Sequence, residues 1–144
     1  MEFYKIFVLI LVSCYIPSVL GCSCLPTSSR KKFCDADFVI LARVISTTID
    51  NTNLGSGKSY SVEVIASFKG SLIAGQTRTI ITAIQGATCG VQLSDGGFYL
   101  LAGQEDGPEL RINLCGWNVK WQNLKPNERS RLWNGAYNCR IVSF

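Results

Sequence analysis

Short blocks of alternating or continuous apolar residues recur along the chain, separated by polar turns. Residues 38–45 (FVILARVI) form a β-branched apolar run that predicts a buried strand. From Tyr60 the pattern alternates and predicts a second strand. Tyr60, Val62, Val64, Ala66 and Phe68 share one face, with Ser61, Glu63 and Ser67 on the other. Lys69-Gly70 ends it, and the polar, Gly-rich residues 50–58 predict a hairpin loop before it. Residues 78–83, rich in Thr and Ile, predict a third strand, and residues 98–102 a fourth after the Asp95-Gly96-Gly97 turn. In a fifth, Leu110, Ile112 and Leu114 alternate with Glu109, Arg111 and Asn113. Two short helices frame these strands. One is capped by Thr27 or Ser28 and runs to about Asp35; the other spans Pro126–Trp133. Gly135 suits the stop of the second.

Five short strands with turn signals between them predict a mainly β domain. The expected form is a small closed antiparallel barrel, five-stranded, Greek-key and of the OB type, with the helices packed alongside. A β-sandwich is the alternative. The chain has 144 residues, enough for one domain of ordinary size.

The first 21 residues have another explanation. Lys5 gives a short positive start, residues 6–12 an apolar stretch, and residues 17–21 a small-residue exit with Val19 and Gly21 at the positions a signal peptidase reads. The apolar run is short and interrupted by Ser13 and Pro17, a poor membrane span. Cleavage is expected between Gly21 and Cys22, leaving residues 22–144 as one secreted, extracellular domain with no membrane span. Of the 7 cysteines, Cys14 leaves with the signal. Cys22, Cys24, Cys34, Cys89, Cys115 and Cys139 remain, and an even set in a small secreted chain predicts disulfides. Spacing alone does not choose their pairing. A structural zinc site is disfavoured, because the chain lacks Cys-x2-Cys pairs and has no histidine. The net charge of +4 is mild and does not indicate nucleic acid. Arg30-Lys31-Lys32 is the one basic cluster, read first as a solvated helix face and second as a contact for sulfated glycans.

Catalysis is poorly provided for. Without histidine there is no Ser-His or Cys-His nucleophile pair. The carboxylates lie mostly in turns or on polar strand faces, and neither a phosphate loop nor a dinucleotide fingerprint occurs. The unusual feature is the expected new terminus, Cys22-Ser23-Cys24-Leu25-Pro26. Bridges from both cysteines to the body would hold rigid a segment that normally frays, each worth about 3–5 kcal/mol on the chain-entropy model.

With these residues in view, the chain resembles the tissue inhibitors of metalloproteinases, specifically their N-terminal, netrin-like domain. The likeness begins at Cys22-Ser23-Cys24-Leu25-Pro26. It continues through Phe33-Cys34-Asp35-Ala36-Asp37-Phe38-Val39-Ile40, Phe68-Lys69-Gly70 and Thr88-Cys89-Gly90-Val91. Tyr99-Leu100-Leu101-Ala102-Gly103, Leu114-Cys115, Trp121 with Leu124, and Cys139 complete it. The resemblance implies the pairs Cys22 with Cys89, Cys24 with Cys115, and Cys34 with Cys139. It also implies inhibition of zinc metalloproteinases by a monomer with no cofactor of its own, the zinc belonging to the target enzyme. The α-amino group and carbonyl of Cys22 would chelate that zinc, and Ser23 would enter the S1′ pocket. Cys24, Leu25 and Pro26 would follow the primed subsites, with Ala87 and Thr88 on the unprimed side.

The chain departs from the family pattern in places. Residues 28–32 replace a His-Pro-Gln stretch, Leu41 replaces a basic residue, and the loop at residues 47–58 is shorter than in several members. The protein is expected to lack the family's second, six-cysteine domain. Three other readings compete. One is a netrin-like module that binds glycans or a receptor without inhibiting. Another is a lipidated Cys22 after Val19-Leu20-Gly21. The last is an oligonucleotide-binding barrel, which the mild charge and expected compartment disfavour.

Overall fold

The computed structural model describes residues 22–50, 57–84 and 89–140. The expected signal segment, residues 1–21, and the two expected contact residues Ala87 and Thr88 lie outside them. Helix α1 spans Ser29–Asp35, capped by the Ser28 hydroxyl, which accepts from the Lys31 N–H at 3.2 Å. Strands follow at Phe38–Asp50 (β1), Gly57–Lys69 (β2), Thr77–Ala83 (β3), Phe98–Asp106 (β4), Glu109–Arg111 (β5) and Val119–Lys120 (β6). A 3-10 turn at Trp121–Asn123 leads to helix α2, Pro126–Trp133, with proline in its first turn. Past its end, Gly135 takes φ +62°, the left-handed conformation that closes a helix.

The strands join in one six-stranded sheet of order β1-β2-β3-β5-β4-β6, and β1 also pairs with β4. This corrects the expectation of a closed, antiparallel, five-stranded OB-type barrel. There are six strands among the described residues, and the β3–β5 ladder is parallel and only two residue pairs long. The predicted fifth strand was read across residues 109–114. It holds strand geometry only over Glu109–Arg111, because Asn113 turns the chain sharply after Ile112. β6 and the 3-10 turn had no periodic signal, being too short to show one.

β1 and β2 each run 13 residues, longer than their apolar cores, because register shifts let them bend. Two shifts change the packing of β2. Ala42 faces Val64 while its neighbour Leu41 faces Ala66, so Ile65 is an extra residue, and Ile40 faces Ser67 while Val39 faces Lys69, so Phe68 is another. Tyr60, Val62 and Val64 therefore fill one core with Phe38, Ile40, Val44, Ile80, Leu101 and Leu110. Phe68, expected on that same face, instead packs on the opposite layer. There it stacks on Trp121 at 6.2 Å and meets Trp133 edge-on at 5.0 Å. That second layer lies between the sheet and the helices and contains Phe33, Ala36, Val39, Leu100, Ala102, Trp117, Leu124 and Leu132. Fully burying each such aliphatic or aromatic side chain stabilises the fold by about 1.5–3 kcal/mol.

Lys69 and Gly70 orient α1 on this sheet. The Lys69 ammonium donates to the carbonyls of Phe33 (3.1 Å), Cys34 (2.9 Å) and Ala36 (2.5 Å), the unpaired acceptors at the helix end. Gly70, at φ +94°, passes so close to Asp37 that a Cβ would sit 2.8 Å from its carbonyl oxygen. The Asp37 N–H donates to the Gly103 carbonyl at 2.8 Å, and its carboxylate accepts from the Glu105 N–H at 3.0 Å. The helix is thus fixed at both the β2 and β4 sides, and the segment that precedes it is placed beside β4.

Candidate functional site

Residues 22–28 have no regular secondary structure and cross the surface in front of α1. Pro26 disfavours helical geometry at Leu25 just ahead of it, so this segment enters α1 from outside the helix. Its position is set covalently. Cys22 is joined to Cys89, Cys24 to Cys115, and Cys34 to Cys139, the pairs that the resemblance implies. Cys22 is half-buried, whereas Ser23, Cys24, Leu25 and Pro26 are exposed. Leu25 is 86% exposed, an apolar side chain with almost no intramolecular burial.

The two anchor points are themselves held together. The Leu114 N–H donates to the Cys89 carbonyl at 2.9 Å, so the half-cystine positions 89 and 115 lie side by side. Asn113 shapes the turn that presents Cys115: its side-chain oxygen accepts from the Cys115 N–H (2.9 Å) and the Gly116 N–H (3.1 Å). Asn118 links that turn to the sheet, donating to the Asn113 carbonyl at 2.7 Å and accepting from the Ala102 N–H at 3.3 Å. On the other side, Cys89 has φ +59°, a left-handed conformation unfavourable for a side chain with a Cβ. Gly90 follows it so tightly against β3 that a Cβ there would meet the Ala83 carbonyl oxygen at 1.9 Å.

The stretch after Cys89 is pinned from the core. Buried Tyr60 donates its hydroxyl proton to the Val91 carbonyl at 2.9 Å and accepts from the Leu93 N–H at 3.0 Å. The buried Thr82 hydroxyl accepts from the Val91 N–H at 3.0 Å. Tyr60 and Asn113 were read from the sequence only as strand positions, and none of Tyr60, Thr82, Asn113 and Asn118 was expected to hold this segment. Only Asn113, beside Cys115 and Gly116 in a polar stretch, carried a local turn signal. Ala87 and Thr88, the remaining expected contact residues, fall in the segment that is not described, so their placement beside Cys22 stays an expectation.

Beneath the segment lies a cleft of about 420 Å³, lined by Ser23, Leu25, Lys32 and Asp35 on one side and Gln104 and Asn113 on the other. The Sγ atoms of Cys22, Cys24 and Cys115 lie within 4.8 Å of one another, a spacing that thiolates could use to hold a metal ion. All three are in disulfides here, and a disulfide sulfur is not a thiolate ligand. The basic cluster does not form one surface. Arg30 donates to the Asn138 carbonyl at 2.7 Å, Lys31 pairs with Asp35 at 2.7 Å, and Lys32 lines the cleft.

The sequence that folds this way is similar to known proteins. The family model for tissue inhibitor of metalloproteinase matches residues 21–143. Metalloproteinase inhibitor 2 of Bos taurus is 33% identical over 149 residues, covering 94% of this chain and 66% of that protein. The Homo sapiens protein of the same name is 33% identical over 147 residues, covering 93% of this chain and 66% of its own length. Metalloproteinase inhibitor 3 of Gallus gallus is 28% identical over 126 residues, covering 84% and 59% respectively. The chain therefore spans somewhat under two thirds of the length of these curated relatives. On the match of the family model across nearly the whole sequence, the chain belongs to the tissue inhibitor of metalloproteinase family.

Proposed function

We propose that this chain is a secreted inhibitor of zinc metalloproteinases, and not an enzyme, acting through the terminus that cleavage after Gly21 would create. One observation carries the reading. Cys22 and Cys24 are both tied to the folded body, while Ser23, Leu25 and Pro26 between and after them stay exposed. The relatives' name as metalloproteinase inhibitors supports the same class of partner. In this reading residues 22–144 are the inhibitory domain and residues 1–21 the removed signal.

The chemistry follows from the terminus. An α-amino group has an unperturbed pKa of about 7.7–8.0, so a neutral fraction with a free lone pair exists at physiological pH. That nitrogen and the Cys22 carbonyl oxygen chelate the target's zinc in a small ring. A catalytic zinc keeps one position for water, and the chelate takes it. Ser23 projects from the segment into the S1′ pocket, where its small size and hydroxyl select among enzymes. Leu25 and Pro26 follow the primed subsites, and Leu25 gains there the burial it lacks in the free protein. Ala87 and Thr88 contact the unprimed side. No scissile bond lies at the metal, and the two bridges reduce the ordering cost of binding. Binding sulfated glycans through residues 30–32 gains no support, because those three side chains diverge.

The test compares two refolded proteins, one beginning at Cys22 and one with a single alanine placed before it. The first is expected to inhibit zinc metalloproteinases stoichiometrically, and the second to lose inhibition by more than about a hundredfold, having no terminal amine at the zinc. Equal inhibition by both would sink the chelation mechanism. Folded protein with three bridges that inhibits no zinc metalloproteinase would sink the reading as a whole.

A further inference from the structure

We propose that the two bridges at the N-terminal segment are exchange-coupled, so that an external dithiol opening one of them releases Cys22 from Cys89. Three observations support this. The sulfurs of Cys22, Cys24 and Cys115 lie within 4.8 Å of one another, so both sulfurs of one bridge sit beside one sulfur of the other. Cys24 and Cys115 are both exposed, while Cys22 and Cys89 are half-buried, so a reductant in solution reaches the Cys24–Cys115 bridge first. Cys89 is held in the left-handed region at φ +59°, and losing its bridge frees that backbone. The Cys34–Cys139 bridge has no sulfur in the group and takes no part.

The steps balance. The external dithiol reduces the Cys24–Cys115 bridge to two thiols and is itself oxidised to a disulfide. One of the two new thiolates then attacks the Sγ of Cys22. A bond from Cys22 to Cys24 or to Cys115 forms, the Cys22–Cys89 bond breaks, and Cys89 leaves as a thiolate that takes up the proton lost by the attacking group. The second step is an exchange with no net oxidation. Attack falls on Cys22 because its sulfur, not that of Cys89, belongs to the close group. The product keeps Cys22 in a bridge but cuts its tie to the segment pinned by Tyr60 and Thr82. Exchange would thus disarm the N-terminal segment while the domain keeps its fold. Its effect on inhibition rests on the function proposed above; the exchange itself does not.

The protein beginning at Cys22 is treated with one equivalent of dithiothreitol, quenched with acid, alkylated and mapped by peptide mass spectrometry. The expected map shows Cys89 alkylated together with one of Cys24 and Cys115, and Cys22 linked to the other. Alkylation of Cys24 and Cys115 with Cys22–Cys89 intact would overturn the proposal. In the double variant Cys24→Ser, Cys115→Ser, release of Cys89 by the same reagent is expected to slow by at least about tenfold, because no internal thiolate remains to attack. Unchanged release there shows direct reduction and also overturns it. If that variant does not fold, the map of the unaltered sequence decides alone. Inhibition assayed on the rearranged protein separates the two ideas: rearrangement with inhibition intact refutes the disarming of the segment and leaves the exchange standing.

Discussion

Tyr60 and Lys69 show how single side chains far from the exposed segment determine its placement. The Tyr60 hydroxyl both donates and accepts inside the core, tying down Val91 and Leu93 two and four residues beyond Cys89. Tyr60→Phe leaves a buried carbonyl and a buried N–H without this partner, and unsatisfied buried groups cost about 1–3 kcal/mol. A loss in that range is expected in urea unfolding, together with faster amide exchange at Leu93. A loss under about 0.5 kcal/mol would show that the hydroxyl is dispensable. Lys69 works at the other end of the segment, donating to three carbonyls where α1 stops. Hydrogen bonds from a charged donor contribute about 1.5–3 kcal/mol, so Lys69→Met should cost about 2 kcal/mol while keeping the stem's packing. The same melt with Lys69→Arg distinguishes charge from geometry. A guanidinium fork cannot aim at three converging acceptors, so only partial rescue is expected.

At the scale of elements, α1 turns from a basic stripe into a connector. Its cluster of positive residues suggests a surface for anions when read in one dimension. In the fold, Arg30 reaches the backbone at Asn138, Lys31 closes an i,i+4 pair with Asp35, and Lys32 faces the cleft. Ser29 also donates to Glu128, joining α1 to α2. Lys31 and Asp35 are both well exposed, and such helix pairs contribute only about 0.3–0.5 kcal/mol. Lys31→Gln is therefore expected to shift stability by no more than about 0.5 kcal/mol and to leave heparin retention unchanged at physiological salt. A marked loss of retention would restore the basic stripe as a binding surface. The pair of register shifts at Ile65 and Phe68 matters in the same way. Together they take Phe68 from the core shared by Tyr60 and Val62 to the aromatic group of Trp121 and Trp133, an outcome that period-2 counting does not anticipate.

For the molecule as a whole, the three bridges divide into two roles. Cys22–Cys89 and Cys24–Cys115 position the exposed segment, while Cys34–Cys139 closes a separation of 105 residues between α1 and the end of the described chain. On the chain-entropy model a loop of that length is worth about 4–5 kcal/mol. The double variant Cys34→Ser, Cys139→Ser should therefore unfold at markedly lower urea and, on the function proposed above, inhibit with unchanged stoichiometry at temperatures where it stays folded. Loss of inhibition in the folded variant would show that the segment depends on the whole framework and not on its own two anchors.

Local chemistry made much of this legible in the residues alone. Apolar runs and alternation located the main strands, Thr27 or Ser28 and Pro126 marked the helix starts, and Gly135 marked a stop, because each of these signals acts within a few residues of itself. The even set of cysteines and the unusual Cys22-Ser23-Cys24-Leu25-Pro26 stretch could be read the same way. Cysteine pairing was not legible from spacing; it came by resemblance, and the fold shows why. Cys89 and Cys115 are brought together by a Leu114 hydrogen bond between two loops, and no periodic pattern encodes that contact. Likewise the parallel β3–β5 ladder, the shifts that relocate Phe68, and the three carbonyls gathered by Lys69 depend on residues distant in sequence. Periodicity reports the environment of one element; only tertiary packing decides which elements become neighbours, and with them which side chains hold the N-terminal segment in place.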